Sequence, residues 1–491
     1  MTRRLTAALL ATGLLLVPAL RAQPAGPGEL TLEECIQRAL SRNFDLGIQG
    51  FATNVAAAGI EAARADFDPA ISLTTAKDFT VTAVAGSSLD GSARPTSENL
   101  ASRATVSQRF ATGANASLST RLGRNQTNSQ FSTLNPAYNS DASLTLSQPL
   151  LRGAGSTITR AQIRRAELGL DRAAHDYRSR VLDVIQSTET AYYNLAFARE
   201  QLEVRRSSLA LARRLHEEAR TRREVGTATD LDVLQAEVGV ANARRGVLLA
   251  EQSVHDRSDQ LLALIGRFEL DAPLGATRLP ATPVSRPALD AALQTAKLNQ
   301  PDIQSLAKSI EQLEIDLRLA HDARRLNLAA NGVLGLNSRE RAAGASYREL
   351  FDRDGYNWQL SLTLSFPWGF RGEKARLLQS ALALQREQLR LRQLEQNIEV
   401  GVRSAVRAVE TNLESVDISA LASALSQKQY ELESARFQAG LSTSRRVLEA
   451  QTDLETARVS ELQSRVNLRT SLASLHRIEG SSLQRFGVTL Q

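Results

Sequence analysis

The stretch Tyr356-Asn357-Trp358-Gln359-Leu360-Ser361-Leu362-Thr363-Leu364-Ser365-Phe366 sets an apolar side chain at every second position and a polar one between. Successive side chains of a strand point to opposite faces, so this segment reads as a strand with one apolar and one polar side. Alternation alone also suits a half-buried strand of a soluble sandwich. The aromatic residues shift the balance. Tyr356 and Trp358 open the segment while Phe366 and Trp368 close it, at about the ten-residue spacing of the two interfacial girdles of a membrane barrel. Both tryptophans of the chain lie here.

The pattern is duplicated. Ser143-Leu144-Thr145-Leu146-Ser147-Gln148-Pro149 matches Ser361 to Pro367 at an offset of 218, and each copy is followed by an Arg-Gly pair, Arg152-Gly153 and Arg371-Gly372. Gly226 with Val233, Leu234 and Ala236 recurs as Gly440 with Val447, Leu448 and Ala450 at an offset of 214. Upstream, Asp45-Leu46 aligns with Asp302-Ile303 and Ala63 with Ala320 at an offset of 257. The difference between the first and last offsets places 39 extra residues in the first half, between about Ala70 and Ser143. About half of that excess is a hairpin pattern, Val106–Phe110 and Ala114–Leu122 about Ala111-Thr112-Gly113, which either adds strands or forms an excursion outside or inside a barrel. Ile71, Leu73, Phe79 and Val81 alternate less cleanly, and Ala85–Ser102 and Gly123–Asn139, rich in Ser, Asn and Gly, read as outer loops.

Each half continues into long helices. From Thr157 to about Arg223 there is no proline, and Val181, Val184, Ile185, Leu195, Leu202, Leu209 and Leu215 recur at helical steps. One continuous helix of that extent is roughly 100 Å long and belongs in a coiled-coil assembly. The second half repeats it from about Glu373 to Phe437. Gly226 and Gly440 end the long helices, and second helices restart, with Thr229 or Ser442 as caps, to run to about Ile265 and Ile478. The product is two antiparallel hairpins.

Composition narrows the function. The chain has 491 residues, 59 Lys+Arg against 53 Asp+Glu, 4% aromatics and one cysteine. A single cysteine excludes a disulfide framework, and Cys35, between Glu34 and Ile36, reads as a small buried residue. Acidic residues interleave with the arginines of the long helices, so the net +6 makes no nucleic-acid face. Glu410, Glu414 and Asp417 repeat at helical steps and face either a lumen or solvent. The five histidines, His175, His216, His255, His321 and His476, form no metal or nucleophile motif, and no phosphate-binding glycine loop opens a helix. No enzymatic chemistry and no cofactor are expected. Arg3-Arg4, an apolar run Leu5–Leu20 and Ala22 read as a cleavable secretory signal. No later segment has the ~20 apolar residues of a spanning helix, so any membrane crossing is by strands.

Two principal strands per half give about four, too few to close a membrane barrel, so other copies must pair the edges. Taken together, the opening Leu30-Thr31-Leu32-Glu33-Glu34, the duplicated strand-to-helix order and the turns Val225-Gly226-Thr227-Ala228 and Ala439-Gly440-Leu441-Ser442 closely resemble the TolC-like family of outer-membrane efflux channels over nearly the whole mature chain. The resemblance implies an α+β membrane protein, a homotrimer with a shared β-barrel of about four strands per copy, twelve in all, and an α-helical barrel reaching into the periplasm of a Gram-negative-type cell. The implied segments are a signal peptide (1–22), equatorial first helices (23–69), outer-membrane strands with the extra hairpin (70–150) and a first helical hairpin (151–267). The second repeat follows with an equatorial segment (268–323), strands (324–370), a second hairpin (371–479) and a C-terminal segment (480–491).

The implied task is to pass cargo outward from an inner-membrane pump through a periplasmic adaptor, in efflux or type I secretion. By the same resemblance, Val225, Gly226 and Thr227 on one tip and Gly440, Leu441 and Ser442 on the other contact the adaptor. The family's entrance is closed by a tyrosine, an arginine and an aspartate, with acidic rings in the lumen. Asp232 matches the aspartate, whereas Phe437 stands for the tyrosine, Ser442 for the arginine, and Arg446 and Glu449 for the ring aspartates. A shifted latch of Asp230 and Asp232 with Arg445 and Arg446 is one reading of these tips, and a solvated charge pattern is the other. Tyr356, Trp358, Phe366 and Trp368 take the lipid interface. The competing class is a soluble periplasmic coiled-coil adaptor, which carries one hairpin flanked by a β-domain.

Overall fold

The computed structural model describes residues 30–83, 94–266, 275–279, 284–352 and 355–488. The expected signal segment, part of the first outer loop and the start of the second equatorial segment lie outside these residues. The chain order is α1 (Leu32–Arg42), α2 (Phe44–Arg64), β1 (Ala70–Val81), β2 (Thr96–Arg109), β3 (Asn115–Thr127) and β4 (Ala137–Pro149). It continues with α3 (Ser156–Thr159), α4 (Ala161–Glu224), α5 (Asp230–Leu264), α6 (Leu289–Asn299), α7 (Pro301–Ala323) and β5 (Asn327–Glu340). The last elements are α8 (Ala343–Glu349), β6 (Tyr356–Ser365), α9 (Arg371–Gln438), α10 (Ser444–Glu479) and α11 (Ser482–Arg485).

The chain divides into two compact units. One holds the tip-side helices, residues 187–284 and 414–470 together with most of α1. Its core is built from small and aliphatic side chains that let helices approach closely: Leu195, Ala196, Ala212, Ala236, Leu261, Val447 and Ala450 are all buried. Cys35 is fully buried on α1, and burial pushes its thiol up to about 12, as befits a packing residue. Tyr192 donates to the carbonyl of Leu30 at 3.1 Å, and Leu30 N–H donates to Ala276 at 2.9 Å, which fastens the chain's first described residue to α4 and residues 275–279.

The second unit holds the sheet with α2, α3, α6, α7 and α11 and the remaining turns of the long helices. Leu168 of α4 packs with Ile315 and Leu319 of α7. The aligned Asp45 and Asp302 stand at the second position of α2 and α7, and each faces an arginine: Arg180 at 2.8 Å from Asp45, Arg477 at 3.9 Å from Asp302. Asp183 joins the two, 2.7 Å from Arg477 and 4.0 Å from Arg180.

The sheet has six antiparallel strands in the order β1-β2-β3-β4-β5-β6, where about four were expected. The extra hairpin is part of it: β2 and β3 pair from Ser97 with Thr127 to Arg109 with Asn115. The segments read as loops shrink accordingly, since β2 begins at Thr96 and β3 runs to Thr127. Their Ser, Asn and Gly content reflects strand faces that meet water, which composition alone does not separate from a loop. Gly113 turns this hairpin at φ +94°, and a Cβ there would stand 2.6 Å from the Gly153 carbonyl, so the residue is fixed by conformation and space together.

Register keeps the two faces distinct. Ile71, Val106, Leu118, Leu144, Leu334 and Trp358 form one row across all six strands. Thr74, Arg103, Arg121, Asp141 and Asn337 form a row on the opposite face, where Arg121 lies 3.8 Å from Asp141. Helix α8 caps part of the sheet: Tyr347 Oη lies 2.5 Å from Thr120 Oγ1, and the buried Ser346 hydroxyl donates to Ser140 at 2.7 Å.

Candidate functional site: hairpin tips and sheet wall

Both hairpin tips are built the same way. At the end of α4, Gly226 takes φ +76° and its N–H donates to Arg223 at 2.9 Å while Thr227 N–H donates to Arg222 at 2.8 Å. At the end of α9, Gly440 takes φ +81°, with Gly440 N–H to Phe437 at 3.0 Å and Leu441 N–H to Arg436 at 2.8 Å. Each is a left-handed C-terminal cap that closes the last helical carbonyls. The caps leave Val225 and Leu441 projecting, 70% and 71% exposed. Two apolar side chains held in water on rigid turns are available for contact with another surface.

The restarts differ in detail. Thr229 caps α5 through a capping box: its hydroxyl accepts Asp232 N–H at 3.3 Å, and Asp232 Oδ2 accepts Thr229 N–H at 3.0 Å. Ser442 does not cap α10. That helix begins at Ser444, the Thr443 carbonyl receives Arg446 and Val447 N–H, and Ser442 Oγ donates to Glu433. The two links are equally long, with three residues between glycine and helix start, and at the offset of 214 it is Thr443, not Ser442, that stands where Thr229 does.

Within the chain the expected latch residues meet other partners. Asp230 lies 2.5 Å from Arg223, and Arg445 lies 2.9 Å from Glu449 on its own helix. Asp232 receives the Ser444 hydroxyl at 3.3 Å, which ties the first turns of α5 and α10 together. The Thr229 hydroxyl above all, then the Thr229 N–H, hold the Asp232 carboxyl below the usual range, with Ser444 adding to them against desolvation. Arg446 is exposed. Phe437 is buried beside Leu215 and Val447, under the Arg222 guanidinium at 4.2 Å. Arg222 also donates to the Phe437 carbonyl at 2.9 Å. Sequence reasoning missed Arg222, Ser444 and Glu433. A Thr-x-x-Asp capping signal was present at Thr229, but no local pattern links Arg222 to a residue 215 positions away.

The sheet supplies the second functional surface. Ile71, Leu73, Trp358, Leu360 and Leu362 are each at least 70% exposed on one face. Tyr356 and Trp358 stand at the start of β6, while Phe366 and Trp368 follow its end, Phe366 stacking on Phe370 at 6.1 Å between centroids. A face of exposed leucines bounded by aromatic residues, backed by a face of Ser, Thr, Asn and Arg, is the wall of a membrane barrel with water inside. Among the described residues no helix is long and apolar enough to cross a membrane, and no cluster of acidic, His or Cys side chains could hold a metal ion.

The family model of the outer membrane efflux protein matches residues 100–267 and 292–481. The chain belongs to the outer membrane efflux protein family. As a member it is a channel protein of the outer membrane that extends into the periplasm. The pyoverdine export outer membrane protein OpmQ of Pseudomonas aeruginosa is 28% identical over 336 residues, spanning 66% of this chain and 67% of that protein. The fold is also that of the CmeC outer membrane channel of Campylobacter jejuni, with a TM-score of 0.70 at 16% identity over 94% of this chain and 90% of that one. The open-state MtrE outer membrane channel of Neisseria gonorrhoeae gives 0.66 at 18% identity over 92% and 89%. The soluble adaptor reading is not favoured: both halves carry a hairpin, and each is preceded by strands of the lipid-facing type.

Proposed function

We propose that three copies of this efflux protein assemble into one duct, that the hairpin tips form its periplasmic entrance, and that a periplasmic adaptor docked there joins it to an inner-membrane pump. The observation that carries the reading is the six-stranded sheet itself. It has one face for lipid and one for water, yet a free edge at β1 and at β6, so a single chain cannot make a closed wall. The number three comes from the TolC-like resemblance.

Val225 and Leu441 are the apolar anchors for the adaptor, with Gly226, Thr227, Gly440 and Ser442 setting the turn geometry around them. Asp230, Asp232, Arg445, Arg446 and Glu449 are the charged set that governs opening, and exposed Arg446 is its member best placed to reach a neighbouring copy. The reading assigns no catalytic step, no cofactor and no nucleic-acid partner. The pump selects the cargo.

Light scattering of the detergent-extracted protein, with the detergent subtracted, is expected to give the mass of three chains, and a monomer would overturn the assembly. Leu441→Asp is expected to abolish cross-linking to the adaptor while leaving that mass unchanged. Arg446→Ser is expected to raise the open fraction in planar bilayers, and unchanged gating would remove Arg446 from the latch.

A further inference from the structure

Six strands per copy differ from the four per copy, twelve in all, that the TolC-like resemblance implied, and the difference fixes how copies must meet. β1 and β6 are the two edges, each hydrogen-bonded to a strand on one side only. Both carry exposed apolar side chains, so both lie where unpaired backbone groups find no water. Six is an even number of antiparallel strands, so β6 of one copy runs opposite to β1 of the next and the ladder continues without a parallel joint.

Which residues meet follows from two constraints. The apolar face must stay outward, and since a slip of one residue would turn every side chain over, the registers open to the joint differ by steps of two. Closure then sets the strand tilt. Along the hydrogen-bond direction the row that starts at Ile71 ends on Trp358. If Trp358 faces Lys77 of the next copy, the row has moved six residues along β1, and three copies accumulate a shear equal to the strand number. That ratio corresponds to a tilt of about 36°, inside the range of membrane barrels. Two residues less per copy would flatten the tilt to roughly 26°, outside it. Two residues more gives roughly 44°, which is allowed, but sets the Lys77 ammonium opposite Leu360. In the six-residue register Phe79 meets Tyr356, an aromatic pair, and Lys77, ion-paired at 2.7 Å with Glu98 of its own chain, lies beside the Trp358 ring.

We propose that the channel wall has eighteen strands, and that β6 of one copy pairs with β1 of the next with Leu364 opposite Ile71 and Leu362 opposite Leu73. The proposal rests on the trimeric reading above. Its consequence is a lumen about half as wide again as a twelve-stranded one, because barrel diameter grows with strand number. The hairpin β2–β3, present only in the first repeat, supplies the added width, and its inward row is polar, including Arg103, as a water-filled passage requires.

The test is disulfide trapping in native outer membranes of the full chain. Leu73→Cys with Leu362→Cys is expected to give, on oxidation, a covalent ladder ending at three chains. Leu73→Cys with Leu364→Cys is expected to stay uncrosslinked, and the reverse result overturns the register. If the first pair impairs assembly, Phe79→Cys with Tyr356→Cys probes the other end of the same joint. Light scattering on the wild type separates the levels: a three-chain mass with neither pair trapped sinks the joint and leaves the trimer, whereas a one-chain mass sinks the trimer itself. A cryo-EM density with twelve wall strands would overturn the count.

Discussion

Ser444, the first residue of α10, donates its hydroxyl to Asp232 in the first turn of α5 at 3.3 Å, and so couples the starts of the two returning helices. The same carboxylate closes the Thr229 capping box, which places three hydrogen bonds on one charge at the tip. Because its folded pKa lies below the ordinary Asp value, its stabilisation is present above about pH 4 and is lost as pH falls through the folded value. Hydrogen exchange across residues 226–236 is expected to accelerate on acidification below that point. Asp232→Asn should exchange faster already at neutral pH and lose the acid dependence; an unchanged acid profile would show that another group carries it.

The Phe437 ring packs inside the tip with Leu215, Val447 and the Arg222 guanidinium. Phe437→Ala is expected to destabilise the tip by about 3 kcal/mol, the usual loss for a buried aromatic. Arg222→Met removes the cation–π contact and the donors to Phe437 and Gln438, at about 1–2 kcal/mol. Limited proteolysis should cut both variants near residues 437–444 sooner than wild type, with the oligomer mass retained.

Three glycines with positive φ separate strain from space. Gly226 and Gly440 have nothing within 4 Å of a would-be Cβ, so Gly→Ala there meets only the left-handed backbone penalty, about 1 kcal/mol. Gly113→Ala adds a clash with the Gly153 carbonyl and is expected to lower the amount of assembled protein severalfold more than either tip variant. Heat-modifiable mobility on gels ranks the three, and equal behaviour would argue against the close approach at Gly113.

Leu360 and Gln359 are neighbours on β6 that face opposite sides of the wall. An arginine on the lipid side of a barrel destabilises by about 2–4 kcal/mol near the midplane, whereas a luminal one is solvated. Leu360→Arg is therefore expected to reduce the outer-membrane level sharply and Gln359→Arg to leave it near wild type. The opposite ranking would invert the two faces.

His476 on α10 accepts the Arg485 guanidinium on Nδ1 at 2.7 Å, so its ring is neutral with the proton on Nε2. Burial first, then Arg485, push its pKa down to about 4. The unfolded chain takes up a proton near pH 6.5 while the folded one does not, so stability falls as pH drops from about 6.5 to about 4, by at most about 1.4 kcal/mol per pH unit. Thermal unfolding of His476→Gln should lose that slope, and a slope equal to wild type would assign it elsewhere.

Local rules determined much of this protein. Period-two and helical periodicity located β6, the core of β4 and both long hairpins, and glycine's conformational freedom located both tips. These depend on residues close in sequence, which is why one chain sufficed to read them. The tertiary structure decided what composition conceals. A water-facing strand side and a loop draw on the same Ser, Asn and Gly, so only their pairing with each other and with β1 and β4 placed β2 and β3 in the wall. Arg222 over Phe437 and Ser444 on Asp232 join residues more than 200 positions apart, a proximity that the fold creates and no local pattern encodes.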